Sequence, residues 1–134
     1  KANMRIVGNC EYAMLLYRDK LPKFNNDGKM IFNCMDYQRD TITPKIHPTQ
    51  KSIHVIKHLI ETFTDVGDVV IDPVAGSGVT LLAAEQLGRR CYGFEIKKEF
   101  VKAFEDTFKS KVQITLDNLM AKDTANKYKQ ISVV

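Results

Sequence analysis

The sequence predicts an α/β fold, built on a mostly parallel sheet with helices packed on its faces. Three observations point there. From residue 69 onward, short apolar runs alternate with helical stripes in the order β-α-β-α-β. Val69-Val70-Ile71 is continuously β-branched, as strands covered on both faces are. Glycines at 67 and 88 punctuate the turns that lead into the first two of these strands.

Taken in order, residues 11–18 hold Tyr12, Ala13, Met14, Leu15, Leu16 and Tyr17 between charges, a length and aromatic content that predict a buried strand. Pro22 to Gly28, with Asn25, Asn26 and Asp27, predicts a turn. Lys29 to Cys34 predicts a second short strand, followed by a polar loop through Pro44. Beyond Pro48, Ile53, Ile56, Leu59, Ile60 and Phe63 recur at three- and four-residue spacing and place one apolar stripe on a helix. The strand at Val69 ends at Asp72-Pro73, and after a loop from Val74 to Gly78 the Leu- and Ala-rich segment Val79 to Leu87 predicts a helix stopped by Gly88. Arg90 to Glu95 predicts a strand, and Lys97 to about Lys109 predicts a helix with Phe100, Val101, Phe104 and Phe108 on one side. Alternation of Val112, Ile114 and Leu116 predicts a last strand, and residues 122–130 a frayed or loosely helical tail.

Composition bounds the class. With 134 residues and 44% hydrophobic content the chain suits one compact domain with a real core, which excludes a fibrous or disordered protein. Its apolar runs fall far short of the roughly 20 residues a bilayer span requires, and no secretory signal is recognisable. Lys1 stands where an initiator Met is expected, so the chain reads as cut from something longer. Cys10, Cys34 and Cys91 lack metal-site or disulfide-framework spacing, which suits a reducing cytoplasm and small buried hydrophobes. Residues 1–51 carry nine Lys/Arg against five Asp/Glu, whereas residues 52–134 carry eleven of each. A basic first third beside a neutral remainder suits either a phosphate-facing surface or a solvated face with spare lysines.

The most informative stretch runs from Val69 to Gly78, where an apolar strand delivers an acid, Asp72, and a Gly76-Ser77-Gly78 loop onto the start of a helix. Glycines let the backbone turn sharply and approach a bound molecule, and a crevice opens at the carboxyl ends of strands in such sheets. A plain strand-to-helix turn is the alternative reading. A dinucleotide fingerprint needs a third glycine where Leu81 stands, and a phosphate-cradling Walker loop needs Lys where Val79 follows Gly78, so both fail. Glu95 ends the next strand, 23 residues after Asp72, close to the spacing at which an acid binds ribose hydroxyls in nucleoside-binding sheets. Its alternative is a surface carboxylate at a strand end.

Two blocks carry a resemblance to a known family. One is His47-Pro48-Thr49-Gln50-Lys51 with the amphipathic helix after it; the other runs from Gly67 through Asp72, Pro73 and Gly78 to Leu87-Gly88-Arg89 and Gly93-Phe94-Glu95-Ile96. Together they resemble the DNA adenine-N6 and cytosine-N4 methyltransferases, in the arrangement where the catalytic motif precedes the cofactor motif. The resemblance implies a Rossmann-like, three-layer methyltransferase fold present in part, and S-adenosyl-L-methionine as cofactor. It implies that Asp72, Pro73, Ala75, Gly76, Ser77 and Gly78 line the cofactor pocket, that Glu95 with Ile96 beside it holds the ribose hydroxyls, and that Thr49, Gln50 and Lys51 lie near the methionine end. Lys51 suits the methionine carboxylate chemically, and His47 is read as a loop anchor. A looser similarity covers residues 11–25. Ser52 and Val74 depart from the family pattern, which commonly has proline and an aromatic ring there.

The family's catalytic tetrapeptide, an Asp, Asn or Ser followed by Pro-Pro and an aromatic residue, cannot be present, since the prolines are 22, 44, 48 and 73. That chemistry needs acceptors holding a flipped base's amine in line with the methyl donor and an aromatic face on which the base stacks. No Cys follows a Pro, which disfavours a C5-cytosine mechanism. The expectation is therefore residues 1–46 as the end of a catalytic and target-recognition region and 47–134 as the cofactor-binding part. This chain would hold no catalytic residue and no metal ligand. It would belong to a bacterial or phage cytoplasmic enzyme of restriction-modification type, with N6-adenine preferred over N4-cytosine as target. Double-stranded DNA, a missing N-terminal catalytic half and a second copy in a homodimer are the expected partners, and no membrane. A methyltransferase of another substrate, or a non-catalytic cofactor-binding subunit of a split enzyme, stays open.

Overall fold

The computed structural model describes residues 10–36 and 38–109. Its elements run α1 (Ile53–Phe63), β1 (Val69–Asp72), α2 (Val79–Gln86), β2 (Arg90–Gly93) and α3 (Lys98–Phe104), the last continuing into a wider π-helical turn, Glu105–Lys109. β1 and β2 pair in parallel, Val69 opposite Arg90 and Asp72 opposite Gly93. Parallel neighbours need a crossover, and α2 supplies it.

The helix ends follow from local chemistry. At the start of α1, Asp40 Oδ2 accepts the Ile53 amide at 3.3 Å, and the buried Ser52 hydroxyl donates to the Gln38 carbonyl at 2.7 Å. α2 closes in a Schellman motif. There the Arg89 amide donates to the Ala84 carbonyl at 2.8 Å and the Gly88 amide to the Glu85 carbonyl at 2.9 Å, with Gly88 at a φ of 73° that favours glycine.

The core is arranged around α2, whose Leu81, Leu82, Ala83 and Ala84 are all buried between α1 and the sheet. Ile53 and Ile60 reach it from α1, and Phe104 and Phe108, ring centres 5.4 Å apart, close it from the α3 side. Full burial of side chains of this size contributes about 1.5–3 kcal/mol each. Helix and sheet approach closely. Cys91 Sγ lies 3.5 Å from the Leu81 carbonyl, and a Cβ on Gly93 would fall 2.5 Å from Leu81 Cδ1.

The helices at Ile53, Val79 and Lys98 and the strands at Val69 and Arg90 stand where the sequence predicts them. The turn expected over Pro22 to Gly28 is present, the Lys29 amide donating to the Asn26 carbonyl at 2.9 Å, but the two N-terminal strand expectations are corrected. Residues 11–18 and 29–34 form no strand, and Tyr12 is 94% and Met30 92% exposed. Neither run has a strand partner among the described residues, and an isolated strand leaves its backbone groups unpaired. The continuous apolar run of β1 is not covered on both faces. α2 packs on the side of Cys91 and Gly93, and Val69 and Ile71 stay exposed on the other, so two of the three expected layers lie among the described residues. Cys91 is buried as expected, whereas Cys10 and Cys34, in segments outside the core, are exposed. The strand expected over Val112 to Leu116 and the tail beyond it lie outside the described residues, as do residues 1–9.

Candidate functional site

β1 carries Asp72 to the carboxyl edge of the sheet, where residues 73–78 turn the chain into α2. This loop is laced to the end of β2. The Phe94 amide donates to the Asp72 carbonyl at 2.9 Å, and the Ala75 amide to the Phe94 carbonyl at 2.8 Å. Gly76 and Gly78 sit at φ of 54° and 70°, left-handed conformations that a side chain strains. Their surroundings differ. A Cβ on Gly78 would lie 2.3 Å from Phe104 Cδ2, whereas nothing lies within 4 Å of that position on Gly76. Gly78 answers to the protein's own packing, and Gly76 leaves its backbone open to approach.

Two carboxylates converge on this loop from adjacent strand ends. Asp72 Oδ1 accepts the Val74 amide at 3.1 Å. Glu95 Oε2 accepts the Gly76 amide at 2.8 Å, and its Oε1 accepts the Lys97 amide at 2.8 Å. The Lys97 amide, outweighing partial desolvation and joined by the Gly76 and Ile96 amides and by nearby His47, holds the Glu95 carboxyl below the usual glutamate range. Each oxygen of a carboxylate can accept more than one hydrogen bond, so Glu95 keeps acceptor capacity for hydroxyl donors. Ser77, within the loop, is buried, whereas Pro73 at its start and Ile96 beyond Glu95 are exposed.

The segment from His47 to Lys51 is fixed separately. His47 Nδ1 lies 3.2 Å from the Thr49 amide and 3.1 Å from the Thr49 hydroxyl, and its ring centre is 4.3 Å from that of Phe100 in α3. His47 is thus a loop anchor, as its setting beside Pro48 suggests. Gln50 spends its side chain on its own loop, accepting the Ile46 amide and donating to the Pro44 carbonyl, both at 3.1 Å. Lys51 Nζ pairs with Glu11 Oε1 at 2.8 Å, both groups being about half exposed. Exposed pairs of this kind contribute ~0–1 kcal/mol, so Lys51 is readily freed.

Asp72, Ala75, Gly76, Gly78 and Glu95 therefore come together at one edge, with Thr49 tied through His47 to the neighbouring helix. Gln50 is turned into its own loop, and Lys51 is taken by Glu11. Asp40 escaped the sequence reading. Its Oδ1 accepts the Ile42 and Thr43 amides at 3.0 and 2.9 Å, and the Asp-x-x-Thr spacing typical of local capping was the available signal. Among the described residues, cavities also lie away from this edge. One of 140 Å³ adjoins Thr43, Glu85 and Phe108, and an open groove of 710 Å³ runs between residues 26–36 with Gln38 and α1. Among the described residues no cluster of His, Cys, Asp or Glu could hold a metal ion, and no helix is long and apolar enough to cross a membrane.

The family model for N6/N4 methyltransferases, described as DNA methylase, matches residues 7–106. The chain belongs to this DNA methylase family. Among its relatives, the type II methyltransferase M2.DpnII of Streptococcus pneumoniae is 36% identical over 100 residues, which is 70% of this chain and 36% of the relative. The DNA adenine methyltransferase YhdJ of Escherichia coli is 36% identical over 93 residues, covering 67% of the chain and 32% of that protein. The chain spans about a third of the curated relatives it matches. The crystal structure of the M1.HpyAVI–SAM complex superposes with a TM-score of 0.59 at 28% identity, over 67% of this chain and 45% of that one. The Rossmann-like methyltransferase fold, present in part, is thereby established for this chain.

Proposed function

We propose that this DNA methylase chain is the S-adenosyl-L-methionine-binding part of a DNA amino-methyltransferase, with catalysis residing in residues it does not contain. The observation that carries the reading is the pairing of Asp72 and Glu95 around a loop whose Gly76 backbone is open. An adenosine-containing ligand fits this donor and acceptor set. Glu95 accepts from the sugar hydroxyls, Asp72 accepts from the ligand directly or through water, and Ala75, Gly76, Ser77 and Gly78 lie against it beside Pro73 and Ile96. Thr49, Gln50 and Lys51 border the methionine end, where Lys51 exchanges Glu11 for the ligand carboxylate. The cofactor supplies the electrophilic methyl group. The chain's residues bind and orient it.

The absence of adjacent prolines anywhere in the 134 residues supports the view that the chain alone transfers no methyl group. Completed by an N-terminal catalytic half, the enzyme acts on double-stranded DNA in a bacterial or phage-infected cytoplasm. N6-adenine is favoured as target over N4-cytosine, and the name of the relative YhdJ, an adenine methyltransferase, supports this. Calorimetric titration of the folded chain is the test. S-adenosylmethionine should bind and Asp72→Ala should weaken it, with no label passing to DNA from the chain alone. Absence of binding by folded protein would remove the cofactor reading, and label transfer would remove the assignment of catalysis elsewhere.

A further inference from the structure

We propose that His47 is a positioning residue for the Thr49–Lys51 border of the site, and that it works only while its Nδ1 carries no proton. The inference rests on the cofactor reading above and adds a regulation to it.

A backbone N–H can only donate. The 3.2 Å contact from the Thr49 amide therefore fixes His47 Nδ1 as an acceptor, and the Thr49 hydroxyl at 3.1 Å donates to the same atom. The ring proton then sits on Nε2. The Gln50 amide closes on the His47 carbonyl at 3.1 Å, so backbone and side chain of His47 both hold the turn over residues 47–50. On its flat side the ring meets Phe100 at 4.3 Å between centres, with the planes inclined by 59°. His47 thus connects the turn that presents Thr49 and Lys51 to the helix that follows Glu95.

Protonation of Nδ1 places a donor against a donor. The Thr49 hydroxyl can rotate and accept from the imidazolium, but the amide cannot. Glu95 and Lys97 are charged groups on this side of the site. Glu95, at the end of β2, is close enough for its carboxyl to feel His47, and Lys97 Nζ lies 5.4 Å from the centre of the same Phe100 ring. Neither accepts the Thr49 amide, whose acceptor is His47 Nδ1. Protonation of Nδ1 therefore releases Thr49 from the α3 side of the site.

The test follows the full chain by NMR and by cofactor binding at about pH 8 and about pH 5.5, the interval over which histidines titrate, with circular dichroism confirming the fold at each. The Thr49 amide shift should follow the His47 ring titration, and S-adenosylmethionine should bind roughly five- to tenfold more weakly in acid, the loss of about one hydrogen bond. His47→Asn, whose Oδ1 can stand where Nδ1 stands, should bind alike at both pH values at the alkaline wild-type level. His47→Phe keeps the ring packing without the acceptor, and should bind at both as the acidic wild type does. A Thr49 amide indifferent to the His47 titration, or an Asn variant that behaves like the Phe variant, overturns the proposal. If Thr49 follows His47 while no form binds the cofactor at either pH, the link between the two residues is supported and the cofactor reading fails.

Discussion

The Glu95 carboxylate bridges two backbone amides, Gly76 through Oε2 and Lys97 through Oε1, both at 2.8 Å. One side chain thereby ties the loop after β1 to the entry of α3. An amide side chain cannot do the same, because it has one acceptor end and one donor end. Glu95→Gln leaves either the Gly76 or the Lys97 amide facing an NH2 group, and should weaken S-adenosylmethionine binding about tenfold or more, since hydrogen bonds to charged groups are the stronger ones. The carboxyl is held below the usual glutamate range, so its contribution is present above the ordinary pKa and is lost only as pH falls through the lowered value. Calorimetry on the two proteins at neutral pH checks this; equal affinities would remove Glu95 from the site.

The two loop glycines should separate stability from binding. Gly78→Ala places a methyl 2.3 Å from the Phe104 ring at a φ of 70°, and should cost about 2–4 kcal/mol of folding stability. Gly76→Ala meets nothing within 4 Å and carries only the left-handed penalty of about 1–2 kcal/mol, yet it raises a methyl where the ligand approaches. Denaturant titration beside cofactor binding reads both effects. A Gly76→Ala chain that binds normally would contradict the open-backbone role.

Thiol chemistry reports the packing under β2. Desolvation, with Glu85 adding to it, pushes the Cys91 thiol up to about 11, and the side chain is buried against Leu81. Cys10 and Cys34 are exposed. Ellman's reagent at mildly alkaline pH should therefore label Cys10 and Cys34 in the folded chain, and Cys91 only after denaturation. Fast labelling of Cys91 in native protein would mean that α2 does not cover β2.

Glu85 gives a pH dependence of opposite sign. Burial raises its carboxyl pKa, and among the described residues its Oε1 is buried with no hydrogen-bond partner. A carboxyl raised in the folded state favours folding below its unfolded pKa, and that advantage is lost as pH rises through the folded value. Glu85→Met, set among Ile42, Leu82 and Phe108, should stabilise the chain at neutral pH on the order of 1 kcal/mol. The gain should shrink on acidification, as the wild-type carboxyl takes up its proton. Thermal melts at two pH values check the sign.

What the sequence made legible follows periodicity and punctuation. The stripe from Ile53 to Phe63, the β-branched run at Val69 and the stop at Gly88 each encode their element locally, and each is found in place. The residues from Tyr12 to Tyr17 read as apolar and strand-like because composition cannot say whether a partner strand exists, and none does among the described residues. At the site, sequence spacing picked out Asp72 and Glu95, but only three dimensions show that Glu95 reaches back to Gly76. Nor could spacing distinguish the two glycines, since the Phe104 ring that crowds Gly78 comes from 26 residues further along the chain. The charge of Lys51 is legible in the sequence, but its partner Glu11 lies 40 residues away.

The most direct measurement is an amide NMR titration of the 15N-labelled chain with S-adenosylmethionine. Saturable shifts should concentrate at Asp72, Gly76, Gly78, Glu95 and Lys97, with smaller ones at Thr49 and Lys51. An unchanged spectrum at millimolar ligand, or shifts confined to the groove beside α1 around His54 and His58, would contradict the site described here.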